Sequence, residues 1–127
     1  MARAKSKESE AVVRIRAICL ALPEAEEKPF GGHTAPSFRV RDKIFVMTSE
    51  PGYGPITMQC KAGPGAQDVL VHSDPVRFFV PPYTGHNGWV GVHLDVAIDW
   101  AIVEDLIRDS YRLTAPKRLA SQVTPGA

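Results

Sequence analysis

The sequence predicts an α+β fold, an antiparallel sheet with the N- and C-terminal helices packed on one face. Three observations carry this. Segments of helical period stand at both ends: Val12, Ile15, Cys19 and Leu22 near the start, and Trp100, Val103, Leu106, Ile107, Ser110 and Tyr111 near the finish. Between them lie short runs that alternate apolar and polar residues, the period of a half-buried strand. The runs are mostly joined by Gly- and Pro-rich connections of hairpin length, too short for the crossovers of a parallel sheet.

Each element has its own local reason. Ser6 or Ser9 can cap a first helix that Pro23 stops, and Arg14 and Arg16 fall off its apolar stripe, as solvated helix surface does. Glu24–Phe30 reads as a short edge strand, because its charges and Pro29 discourage further pairing. After the loop Gly31-Gly-His-Thr-Ala-Pro36 comes a hairpin, Pro36–Thr48, turning at Asp42-Lys43. A two-residue turn there pairs Arg41 with Ile44, Val40 with Phe45, Arg39 with Val46 and Phe38 with Met47. Phe38, Val40, Phe45 and Met47 then form an apolar face, and Arg39, Arg41, Ile44 and Val46 the opposite one.

The loop Glu50–Pro55 leads to Ile56–Lys61, which alternates strictly and turns Ile56, Met58 and Cys60 inward. Gly63-Pro64 starts a short helix to about Val71 that buries Ala66, Val69 and Leu70. Arg77–Val80 is a short strand closed by Pro81-Pro82. In Trp89–Leu94, Val90, Val92 and Leu94 face the core, while Trp89, Gly91 and His93 face away. Asp99 caps the last long helix, Arg108 and Arg112 suit its C-terminal half, and Pro116 closes it. Lys117–Gln122 adds one turn. The helices therefore cover Phe38, Val40, Phe45, Met47, Ile56, Met58, Val90 and Val92. Arg39, Arg41, Val46, Gln59, Lys61, Trp89 and His93 are left on the uncovered face.

With 127 residues the chain suits a single domain, 1–127, ordered over about 8–122, between a basic tail and a terminal Thr124-Pro-Gly-Ala tail. Lys and Arg total 15 against 14 Asp and Glu, a net charge of +1, so any basic surface must be a local asymmetry. Cys19 and Cys60 lack metal-ligand spacing and read as reduced structural thiols of a cytoplasmic protein. No run is long and apolar enough to span a bilayer.

The order of landmarks resembles a known family. Leu22-Pro23 is followed by Pro36-Ser-Phe-Arg-Val40 and Asp42-Lys-Ile-Phe45, then Lys61 at a strand end. Val80-Pro-Pro-Tyr83, Gly88-Trp-Val90 and Asp109-Ser-Tyr111 complete the series. Together they look like the MmcQ/YjbR family of small bacterial proteins, over roughly residues 8 to 120. That resemblance implies a fold similar to the frataxin homologue CyaY and a DNA-binding role described as a double-wing arrangement. Where the family's first hairpin turn often has glycine before lysine, this chain has Asp42.

Among function classes, DNA binding has the most local support. On the expected register Arg39, Arg41, Lys43 and Lys61 converge on one side, the two arginines about 7 Å apart along their strand. Such cations contact phosphates with little sequence information, and Tyr83 and Trp89 can stack on a base. The competing reading is a protein- or small-ligand-binding module using the Tyr83/Trp89 loop and sheet surface. Catalysis is not expected: His33, His72, His86 and His93 form no zinc-type pair, and no nucleophile elbow or phosphate-cradling loop occurs. A frataxin-like metal role needs a dense acidic surface, whereas Lys5, Lys7, Arg14 and Arg16 interrupt Glu8 and Glu10. No cofactor is implied, no membrane partner is expected, and the oligomeric state is left open.

Overall fold

The computed structural model describes residues 9–29, 35–49 and 54–126. Ser6, His33, the Gly31–Thr34 turn and most of the Glu50–Gly54 loop lie outside the described residues. Helix α1 spans Glu10–Leu20, and the Ser9 side chain caps it by accepting from the Ala11 N–H at 3.1 Å. Val12, Ile15 and Cys19 are its buried stripe, as the periodicity requires. Arg14 and Arg16 are not simply solvated. Arg14 lies 4.6 Å over the Trp100 ring, and Arg16 makes a two-point ion pair with Glu27 at 2.8 and 3.0 Å.

Six strands follow: β1 (Ala25–Glu27), β2 (Ser37–Val40), β3 (Lys43–Thr48), β4 (Thr57–Lys61), β5 (Phe78–Phe79) and β6 (Trp89–His93). They form one antiparallel sheet in the order β1-β2-β3-β4-β6-β5, with the charged β1 at an edge. The expected hairpin register is corrected. Val40 pairs with Lys43 and Arg39 with Ile44, so the turn is Arg41-Asp42. Both turn residues have positive φ, 50° and 70°, which two-residue hairpin turns matched to strand twist require. Asp42 thus occupies a conformation that glycine adopts without strain.

A bulge then intervenes. Phe38 pairs with Val46, leaving Phe45 as an extra residue between that pair and Arg39–Ile44. Phe45 and Val46 are consequently both fully buried, and Met47 joins the other face in place of Val46. The physical reason is visible above the sheet. Helix α3 (Trp100–Thr114) places Ser110 over the bulge, where its hydroxyl donates to the Phe45 carbonyl at 2.6 Å. The same oxygen accepts from the Lys61 N–H at 2.9 Å, so one side chain ties two strands to one helix. Phe45 also meets Tyr111 edge-to-face, with ring centroids 5.4 Å apart.

Helix α2 (Ala66–Ser73) starts where proline and glycine predict and turns Leu70 inward as expected, but Val69 is not part of its inner side. Val69 is 67% exposed, whereas Gln67, Leu70 and Val71 turn inward. Gln67 fixes this rotation by donating to the Gly85 and Trp89 carbonyls at 2.7 and 2.6 Å. Asp99 caps α3 through the Ala101 N–H at 3.0 Å, and Val103, Ile107, Ser110, Tyr111 and Thr114 are buried. Arg108 pairs within its own helix with Glu104 and Asp105, at 2.5 and 2.7 Å. After Pro116, helix α4 (Lys117–Ala120) adds the expected turn. The chain end is not a free tail: Val123 is buried, and the Gly126 N–H donates to Asp109 at 2.8 Å.

The core joins α1, the covered sheet face and α3, through Ile15, Phe38, Val40, Phe45, Val46, Met58, Val90, Ile107 and Tyr111. No helix among the described residues is long and apolar enough to cross a membrane.

Candidate functional site

The sheet register sets where the predicted contact residues emerge. Lys43 begins β3 and Lys61 ends β4, so antiparallel pairing puts both at one end of the sheet. Lys61 pairs with Trp89 at the start of β6, which brings the Pro81–Gly88 loop and Tyr83 to the same end. The Arg41-Asp42 turn lies there too. So does the C-terminal half of α3, because Ser110 reaches Phe45 and Tyr111 reaches the Pro23 carbonyl at 2.6 Å. One end of the domain thus gathers the hairpin tip, the α1–β1 turn, the loop before β6 and the last helices.

The six predicted residues do not form one flat face. Arg41 has left the strand for the turn, so it does not point the same way as Arg39. Its guanidinium grips Glu24 at 2.7 and 3.3 Å. Arg39 stays on the open face with its side chain only 18% exposed, near Asp42 at 4.0 Å and donating to the Pro29 carbonyl at 3.3 Å. Lys28 balances the same corner, 3.5 Å from Asp42 and 3.8 Å from Glu26. The arginine face expected from alternation is therefore a corner of compensated charges. Lys43 and Lys61, by contrast, have no carboxylate partner among the described residues. Tyr83 is 89% exposed in a left-handed conformation, φ 70°, and its ring is open to a partner.

Trp89 is the clear correction. Strand alternation puts it on the uncovered face, yet it is only 8% exposed and cannot stack on a base. The Pro81–Gly88 loop folds over that part of the sheet. Thr84 donates to Gln59 on the open face at 2.9 Å, and Gln67 clamps the loop through Gly85 and Trp89. Farther along β6 the open face is filled by Phe79. Its ring lies across Gly91, where a Cβ would stand 2.3 Å from it, and stacks on His93 at 4.6 Å between centroids.

Reactive groups are few. Burial pushes the Cys60 thiol up to about 12, and burial first, then the neighbouring Cys60, raises Cys19 well above its ordinary range. Arg41's hydrogen bond lowers the Glu24 carboxyl below its ordinary value, and the charge of Arg118 on α4 acts in the same direction. His72 Nδ1 meets the Asp68 carbonyl of its own helix at 2.9 Å. Among the described residues no three His, Cys, Asp or Glu side chains are grouped to hold a metal ion. A cleft of about 580 Å³ opens at the opposite end of the sheet, floored by Phe78, Val92 and Val103. None of the six predicted residues lines it.

Helices laid over one face of an antiparallel sheet, with a short hairpin and a folded loop at one end, define an α+β domain of the kind expected from the sequence. The YjbR family model matches residues 20–113. The chain belongs to the YjbR family. Among solved structures it is similar to the Deinococcus radiodurans protein DR2400, whose family-model domain is DUF419, at 23% identity and a TM-score of 0.72. The likeness covers 80% of this chain and 76% of that one and concerns the fold. No curated protein matches the chain.

Proposed function

We propose that this protein binds DNA through the hairpin end of the sheet, contacting backbone phosphates and performing no catalysis of its own. The observation that carries the reading is the pairing state of the cations there. Lys43 and Lys61 emerge at the same end with no carboxylate partner among the described residues, Lys43 from the face of Val40 and Lys61 from the open face beside β6, whose preceding loop carries the exposed Tyr83 ring. Cations in that state bring phosphates to a surface without reading bases, and with a net charge of only +1 the attraction must come from such local cations. Arg41 is a conditional member, since its exposed Glu24 partner is available for exchange. Tyr83 supplies a stacking surface for an unpaired base. Trp89 and Arg39 take structural roles instead.

The test is binding of a short labelled duplex and the corresponding single strand across a salt series. Replacing Lys43 and Lys61 together by alanine removes two phosphate contacts, which lowers the duplex salt slope by about 1.8. Tyr83→Ala weakens single-strand binding by roughly 1–3 kcal/mol and leaves duplex binding nearly unchanged. An unchanged salt slope in the double lysine variant refutes the reading.

A second reading, a protein- or small-ligand-binding module, rests on the exposure of Val80 and Tyr83 on one loop beside the two-residue edge strand β5. Its mark is a partner held at high salt and lost in Tyr83→Ala.

A further inference from the structure

An arginine and a carboxylate close an exposed pair at the hairpin end. Glu24 stands in the α1–β1 turn, and Arg41 grips it with two nitrogens at 2.7 and 3.3 Å. Beside it, Tyr111 anchors α3 to the Pro23 carbonyl at 2.6 Å, which holds the turn that carries Glu24. Both members of the Glu24–Arg41 pair are about half exposed, at 48% and 46%. Neither is needed to bury charge.

Glu24 has positive φ, 58°, a conformation that costs a side chain, and Arg41 and Asp42, at 50° and 70°, take the one their two-residue turn requires, so the backbone fixes the directions of both partners. The other charges in the corner are already paired: Lys28 with Glu26 and Asp42, and Arg39 with Asp42. Glu24 is thus the carboxylate that holds Arg41 away from outside anions.

We infer that Glu24 is an intramolecular stand-in anion, holding the Arg41 guanidinium in a site that a phosphate of a nucleic-acid backbone takes in its place. A guanidinium fork accepts carboxylate and phosphate oxygens with the same two-point geometry, so the exchange keeps the Arg41 hydrogen bonds. It also releases Glu24 to water. The site extends the Lys43–Lys61 surface towards the α1–β1 turn and makes occupation of that side conditional on displacing an internal anion. This inference rests on the DNA-binding reading and predicts something it does not: removal of an acidic group far from any base strengthens binding.

The test compares wild type, Glu24→Gln and the Glu24→Gln/Arg41→Ala pair by fluorescence anisotropy with a labelled duplex, after circular dichroism confirms each fold. All the altered positions are exposed, so folding is retained. Glu24→Gln is expected to bind on the order of tenfold tighter at low salt, with a salt slope steeper by about 0.9. Adding Arg41→Ala is expected to cancel the gain. If Glu24→Gln binds no tighter while the double lysine variant still weakens, the stand-in role fails and the DNA reading survives. If neither wild type nor Glu24→Gln binds duplex, both fail. If Glu24→Gln gains thermal protection from inorganic phosphate but no affinity for duplex, the site takes a free anion and the nucleic-acid assignment is overturned.

Discussion

Ser110→Ala tests the device that fixes both the hairpin register and the position of Lys61. The Ser110 hydroxyl is fully buried, donates to Phe45 O at 2.6 Å and accepts from Lys61 N at 2.9 Å. Alanine removes both bonds and leaves a bulge carbonyl and a strand N–H without a partner. An unsatisfied buried polar group costs about 1–3 kcal/mol. Phe45 is sealed from solvent and bears the larger cost; Lys61 is half-buried, so water relieves part of its share. Alanine's better helix propensity returns roughly 0.5 kcal/mol. The net expectation is a loss of roughly 2–3 kcal/mol, or a thermal midpoint lower by about 6–15 °C in a domain of this size. Urea denaturation followed by tryptophan fluorescence reads it, with an unchanged denaturant slope showing that the unfolding transition is the same. A loss below about 0.5 kcal/mol means the bulge is held by something other than Ser110.

Two further predictions bear on the open face and the buried thiols. Gly91→Ala sets a Cβ against the Phe79 ring, 2.3 Å away, and costs about 1–3 kcal/mol by thermal or urea unfolding; in a Phe79→Ala background the cost largely disappears, and additive costs refute the contact. Cys60, held up to about 12 by burial, is expected to resist alkylation in the folded protein at mildly alkaline pH and to react fast once urea unfolds it. Because its folded value lies above the ordinary 9.0, the folded state keeps the proton longer. This contribution to stability is full below 9.0 and is lost as pH rises towards 12, so the urea midpoint falls across that window; a rising midpoint contradicts the sign.

What the sequence made legible follows period and punctuation. The caps at Ser9 and Asp99, the stops at Pro23 and Pro116 and the alternation in Thr57–Lys61 are local signals, and all of them survive folding. The hairpin register was not legible, because it depends on a bulge whose carbonyl is satisfied by Ser110, sixty-five residues away. Strand period alone puts Met47 inward; one inserted residue reverses it from Val46 onward. The same limit applies to α2, whose rotation is set by Gln67 reaching two carbonyls of the loop before β6. A composition-based eye sees Val69 as core and Gln67 as surface, and tertiary hydrogen bonds invert both.

The candidate site shows the limit at its sharpest. Arg39 and Arg41 looked equivalent because alternation makes residues two apart equivalent. The turn breaks that equivalence: Arg41 is rotated into a left-handed position facing Glu24, whereas Arg39 lies along the sheet with little exposure. Trp89, the strongest stacking candidate by residue type, became a wall of the loop that presents Tyr83. A basic residue is a phosphate contact only where no internal carboxylate holds it first, and sequence shows the cation but not its partner. Here that partner is Glu24, and whether its carboxylate is a fixture or a placeholder decides how far the binding surface extends beyond Lys43 and Lys61.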